Sequence, residues 1–310
     1  MDAGAVMTHD EFCRAAGEYG FRKVFFLPPD AVPLAENPHH LVTDPKAEFP
    51  FAASIAVMVF PYAPFTAEER IPAYYLASNA AYFGMKALLR RLNGQGICAD
   101  KAEIPLKAAL DRAGIGTPLR NSLRAIRPFG SRFVLMSIAV EGIPPLEYPD
   151  EALPSPCGNC RACENACPAG AIGRDGFDLA RCMRPRMETA DHSDDIRDRQ
   201  RTYIGCEICQ YACPMNAKLE KAELPAEAVE AFDLTKLLRG DAAKARALVG
   251  KNMTGNGKLT AEALAFAARD GLIPDESLDE AIALAEASPF AAVRSAARYA
   301  RNKLNSRAPR

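Results

Sequence analysis

The spacing of apolar positions changes several times along the chain, and each change marks an element. Thr8 followed by Glu11 forms a capping box at the head of a helix that Gly20 ends. RKVFFL (22–27) and ASIAVMVF (53–60) are apolar runs of strand length, the second bounded by Pro61. Residues 73–92 carry helical spacing, stopped by NGQG (93–96). ICAD (97–100) fits a strand, 106–112 a helix closed by Gly114, and SRFVLMSIAV (131–140) a buried strand. Strands alternating with helices predict an α/β domain over residues 1–150, ending near the proline-rich EGIPPLEYPDEALPSP. Residues 151–218 hold most of the cysteines. From 219 to 310 helical patterning returns without a strand, interrupted by RGDA, GKNMTGNGK and DGLIPDES, and Ser288-Pro289 opens the last helix. This tail predicts stacked helix pairs, a short α-solenoid that leans on the rest of the chain.

Composition narrows the class. Of 310 residues, 49% are hydrophobic and 25% charged, and the net charge is −1, so bulk charge predicts neither a nucleic-acid binder nor an acidic tail. The most apolar stretch, FPFAASIAVMVFPYAPF (49–65), is broken by Pro50, Pro61 and Pro64 and is shorter than a membrane span. The start, MDAGAVMTHDEF, has early acidic residues and no apolar core, so no signal peptide is expected. The expectation is a cytoplasmic protein with no membrane association. Thiols stay reduced there, and clustered cysteines imply metal rather than disulfides.

Ten cysteines are present. Cys157, Cys160, Cys163, Cys167 and Pro168 spell C-x2-C-x2-C-x3-C-P. Cys206, Cys209, Cys213 and Pro214 repeat its last three cysteines, with Tyr203 where the first would stand. A cubane iron–sulfur cluster needs four thiolates approaching from different directions. A tight loop with two-residue gaps supplies three, and in two-cluster ferredoxins the fourth cysteine of such a run serves the other cluster. Cys182, between the runs, fills the missing place. Two [4Fe–4S] clusters follow: Cys157, Cys160, Cys163 and Cys213 for the first, Cys167, Cys182, Cys206 and Cys209 for the second. Structural zinc takes two separated pairs and explains two interleaved runs poorly. Cys13 and Cys98 are left over, expected as buried thiols packing like small hydrophobes. Two clusters make an electron conduit but choose no substrate.

The cysteine pattern, with its lone middle member, resembles the double-cluster domain of the epoxyqueuosine reductases and, more distantly, the reductive dehalogenases. ADKAEIPLKAALDRAGIG (99–116), RNSL (120–123), FGSRFVL (129–135) and YYLASNAAYFGMKALLRRL (74–92) are similar to stretches of those reductases. The resemblance covers residues 8–218, and the tail resembles the family's HEAT-like repeats in shortened form. It implies an α/β domain (1–150), a ferredoxin-like double-cluster domain (151–218) and HEAT-like repeats (219–310). It further implies a base-off cobalamin that receives electrons from one cluster, with Arg120, Asn121 and Ser122 as contacts. Asp100 would protonate the leaving oxygen, its pKa raised by burial beside the corrin. Ferredoxin or flavodoxin would donate electrons, and the substrate would be the epoxide of epoxyqueuosine in tRNA or a related one. The glycine turn departs from the family's rough GLGWxGK: in GIGTPLRN (114–121), Thr117 replaces the tryptophan and Arg120 the lysine. That departure points toward a paralogue with a different substrate. Two competing readings remain, an electron-transfer protein with no substrate site of its own and a dehalogenase-like enzyme.

Basic residues bear on the tRNA question. Arg120, Arg124, Arg127 and Arg132 cluster in one segment, Arg181, Arg184 and Arg186 flank Cys182, and Arg294, Arg298 and Arg301 share a face of the last helix. They form either a phosphate-binding surface or solvated faces interleaved with Asp191, Asp194, Asp195 and Asp198. His39, His40 and His192 show no metal spacing and read as loop residues. Tyr74 and Tyr75 read as amphipathic residues at a helix start.

Overall fold

Strand-length apolar runs pair into one sheet. The computed structural model describes residues 7–32, 44–66, 70–149, 151, 154–188 and 192–307. Its strands in chain order are β1 (Lys23–Leu27), β2 (Ser54–Pro61), β3 (Ala99–Lys101), β4 (Thr117–Pro118), β5 (Arg124–Ala125), β6 (Phe133–Val140), β7 (Ile172–Gly173) and β8 (Gly176–Phe177). The chain divides into two compact units that do not follow chain order. One comprises Met1–Ala63, Ala77–Arg161 and Cys213–Glu220, the other Pro64–Leu76, Ala162–Ala212 and Lys221–Arg310. The division cuts through both cysteine runs.

The first unit is built on a sheet of order β1-β2-β6-β3. Strands and helices alternate as expected for an α/β domain, but every pairing is antiparallel. Apolar period reports burial and not strand direction, which the distant pairing partner decides. β2 and β6 pair along their whole length, from Ser54 opposite Val140 to Pro61 opposite Phe133. Ile55, Ala56, Val57, Met58 and Val59 are all inaccessible, so both faces of β2 are covered. That is why its sequence is continuously apolar instead of alternating. On one face Phe25, Ile55, Val57, Val59 and Ala139 share a core with Ala109 and Leu110 of the helix Leu106–Arg112.

The capping box at Thr8 and Glu11 opens the helix His9–Glu18, which buries Phe12, Ala15 and Ala16. Cys13, one position round from Phe12, faces solvent, and Cys98 is exposed as well. Both depart from the buried packing expected of them: Phe12 takes the inward position beside Cys13, and Cys98 lies before β3 between the buried Ile97 and Ala99. The long helix runs Ala73–Gly94 and buries Ala81, Met85, Leu88 and Leu92 at helical spacing. His39 and His40 lie outside the described residues.

In the second unit six helices follow the cysteines: Ala226–Ala231, Leu234–Leu238, Ala243–Val249, Lys258–Asp270, Asp275–Glu286 and Ala291–Arg307. Lys258–Asp270 is buried on nearly every side. It shares Ala261, Leu264, Ala267 and Ala268 with Leu278 and Ile282 of the next helix and Ala292, Ala296, Ala297 and Ala300 of the last. Small alanines on facing helices let the backbones approach closely, which accounts for the alanine-rich tail. Among the described residues no helix is long and apolar enough to cross a membrane.

Candidate metal centre

Three of the four cysteines assigned to the first cluster belong to the first unit. Burial pushes the Cys213 thiol up, the Met215 N–H bonded to it pulls the other way, and Cys157 and Cys160 close by raise it further. Cys213 comes from the second run, so the fold carries it across to the first. A latch holds it there. Asn216, three residues on, accepts the Ser131 N–H with Oδ1 (2.8 Å) and donates from Nδ2 to the Ser131 hydroxyl (3.0 Å). Gly130 permits the approach. Its φ is +56°, and a Cβ there would collide with Asn216 Oδ1 and come within 2.7 Å of the Met215 carbonyl oxygen. Arg120 fixes the Cys157 arm. Its backbone N–H donates to Cys157 Sγ (3.3 Å), and its Nη2 donates to the Cys157 carbonyl (3.2 Å) and the Gly158 carbonyl (3.0 Å). The fourth member, Cys163, is buried on the short helix Ala162–Ala166.

All four cysteines assigned to the second cluster lie in the second unit. Burial pushes the Cys206 thiol up to about 11; the Ile208 N–H opposes this, while Cys182 and Cys167 add to it. The Ala171 N–H donates to Cys167 Sγ (3.3 Å). Cys167 and Cys206 border an apolar cluster of Ala169, Met183, Met187 and Ile196. Cys209 lies on the helix Ile208–Tyr211. The second run is anchored by Glu207, whose Oε1 accepts the Tyr74 N–H (2.8 Å), and by Gly205, where a Cβ would come within 2.5 Å of the Tyr75 ring.

The donor set suits cubanes. Cys213 lies near Cys157 and Cys160, Cys206 lies near Cys182 and Cys167, and N–H groups already point at Cys157, Cys167, Cys206 and Cys213. Among the described residues no three ligating side chains gather around a point that would hold a single ion. A cubane asks for a wider arrangement, because each thiolate takes its own iron.

The other candidates are placed less tightly. Asp100 is exposed in the middle of β3, opposite Ala139, and its Oδ1 accepts the Lys101 N–H (2.7 Å). Arg120, expected at a cofactor, instead grips the first cysteine loop. Asn121 is buried, with Oδ1 accepting the Leu123 N–H (3.2 Å), while its Nδ2 has no hydrogen-bond partner. Ser122 has a φ of +63°, and its carbonyl accepts from Lys107 Nζ (3.1 Å).

Most of the clustered arginines are engaged. Arg124 donates to Asp111 and the Ile115 carbonyl, and Arg132 is buried with its guanidinium 5.7 Å from the Tyr62 ring centre. Arg184 lies 4.2 Å over the Tyr74 ring, Arg186 pairs with Asp195, and Arg301 pairs with Asp279 and Glu286. Arg298 is exposed on the last helix. His192 is buried against Glu262, which Gln200 also contacts. Sequence reasoning missed the Gly130–Ser131–Asn216 latch; the glycine in FGSRFVL was its only trace.

A family model described as a 4Fe-4S double cluster binding domain matches residues 156–216. Curated relatives carry the name epoxyqueuosine reductase. That of Bacillus subtilis (strain 168) is 33% identical over 121 residues, covering 38% of this chain and 30% of the relative. That of Leadbetterella byssophila is 29% identical over 193 residues, covering 56% and 62%. The Bacillus match thus spans about a third of that relative's length. Among solved structures, epoxyqueuosine reductase from Bacillus subtilis superposes with a TM-score of 0.73 at 20% identity, covering 95% of this chain and 90% of that one. The enzyme from Streptococcus thermophilus gives 0.72 at 19%, covering 96% and 90%. Over part of its length this chain is similar in sequence to curated epoxyqueuosine reductases, it shares the fold of solved ones, and it carries a 4Fe-4S double cluster binding domain.

Proposed function

We propose that the chain is an iron–sulfur oxidoreductase of the epoxyqueuosine reductase type. Electrons would pass through two [4Fe–4S] clusters to a bound cobalamin, whose chemistry would serve the reduction of an epoxide in tRNA or in a related substrate. The observation that carries this reading is the sorting of the cysteines: Cys213 beside Cys157 and Cys160, and Cys206 beside Cys182 and Cys167. Ferredoxin or flavodoxin is the proposed donor and the cytoplasm the proposed compartment.

Reducing an epoxide to an alkene consumes two electrons and two protons and releases the oxygen as water. A cobalamin, when bound, supplies the two-electron chemistry at the C–O bond. The chain's own residues would hold it and manage protons. Asn121 fits such a ligand, since its buried Nδ2 is a donor with no partner, and the amide oxygens of a corrin are suitable acceptors. Ser122 adds a neighbouring hydroxyl. Asp100 is the proposed acid. Its carboxylate is exposed, so bound cofactor and substrate would have to cover it and keep it protonated. The Bacillus subtilis structure was solved with its catalytic aspartate loop swung out of the active site, which supports an acid that is brought in. Another solved epoxyqueuosine reductase holds a tRNA-Tyr epoxyqueuosine-modified stem loop, which supports tRNA as the partner. The tail would serve as HEAT-like repeats, with the exposed Arg298 toward phosphate.

The exposed Asp100 also favours a second reading, an electron carrier without a substrate site. Air-free protein should hold about eight irons per chain. It should shift the visible spectrum of added cob(II)alamin and restore the modified nucleoside in the tRNA of a queuosine-deficient strain. Colourless protein ends both readings. Full iron without cob(II)alamin binding leaves the carrier, and binding without rescue moves the substrate away from epoxyqueuosine.

A further inference from the structure

Arg120 has three hydrogen-bond contacts on the first cysteine loop. Its N–H points at Cys157 Sγ, and its Nη2 bridges the two carbonyls that follow that sulfur. The side chain is half-buried, and its Nε is buried without a hydrogen-bond partner. A guanidinium is always charged and planar, and one of its nitrogens, Nη2, reaches both carbonyls from a side chain longer than lysine's. The group beside it, a cubane with four thiolates, is anionic and gains another negative charge on reduction. A partly desolvated cation next to it stabilises the reduced state, and the N–H···S bond acts in the same direction.

We propose that Arg120 is a positioning residue for the first cluster, holding the Cys157 arm in place and raising that cluster's reduction potential. This rests on the two-cluster reading above and gives Arg120 a role other than the cofactor contact that the resemblance implies. Its two parts separate by chemistry. The two hydrogen bonds from Nη2 set how firmly the arm is held, and the charge sets the potential. The backbone N–H···S bond survives any substitution at this position other than proline, so a side-chain change tests the guanidinium alone.

The experiment uses the full chain, purified without air, with Arg120→Gln, Arg120→Lys and a control, Arg127→Ala, which removes an exposed arginine from the same segment. Redox titration followed by electron paramagnetic resonance reads the potentials, and chelator challenge reads iron release. Arg120→Gln is expected to move one of the two potentials to a more negative value and leave the other. Arg120→Lys is expected to keep both potentials. Both variants are expected to release about half of their iron several-fold faster than the parent, as one cluster of the two loosens. The control is expected to match the parent throughout. Unchanged potentials and release in Arg120→Gln overturn the proposal, as does an equal potential shift in Arg127→Ala. A parent chain without two clusters is a separate failure, that of the cluster reading itself.

Discussion

Tyr203 stands where a cysteine would complete the second run. It is 6% exposed, stacked on Phe232 with centroids 5.7 Å apart and edge-on to Phe266 at 5.3 Å. Packing has claimed that position, and Cys182 supplies the thiol near Cys206 in its stead. Asp100 is the proposed acid. Asp100→Asn should lower turnover about a hundredfold or more while both clusters stay intact; unchanged turnover, measured with iron content, removes Asp100 from the mechanism. Asp270 is a stability test. Burial works against its charge, but hydrogen bonds from Arg269 and Arg70 outweigh that and hold its carboxyl below the ordinary 3.8. A depressed carboxyl contributes stability above its ordinary pKa and loses it as pH falls through the lower folded value. Asp270→Asn should therefore cost about 0.5–1 kcal/mol at neutral pH, a deficit that shrinks below about pH 4 in urea melts.

Among elements, the turn before β6 decides where Cys213 goes. The second run has no local reason to reach the first cysteine loop. Asn216 and Ser131 supply one, and they meet only because residue 130 has no side chain. Gly130→Ala should cost about 1–3 kcal/mol in backbone strain alone. It should also release the first cluster preferentially, leaving about half the iron per chain. Full iron content in that variant would show that Cys213 is held by other means. The same element scale explains what was readable beforehand. The capping box, the strand runs and the 106–112 helix are local patterns, and the structure has them within a residue or two. The latch was not readable, because its partners are 85 residues apart and carry no period.

At the scale of the whole molecule, the proposed assignment interleaves the two cysteine runs. Single changes Cys182→Ser and Cys213→Ser should each leave one cluster's resonance signal, and a different one. Joining Cys182→Ser to Cys206→Ser should cost no more iron than either alone, whereas joining Cys182→Ser to Cys213→Ser should abolish both signals. Groups acting as a unit are not additive and independent groups are, so the pattern reports which thiols share a cube. The double cluster domain could be read from the chain alone, since thiolate chemistry and two-residue gaps leave few alternatives for clustered cysteines. So could the helical tail and the apolar strands, whose periods record burial. Strand direction, the exposure of Cys13 and Cys98, the core role of Tyr203 and the turning of Arg120 onto the Cys157 loop needed the tertiary structure. Each depends on a neighbour far along the chain, and linear order carries no record of which distant backbone a side chain will meet.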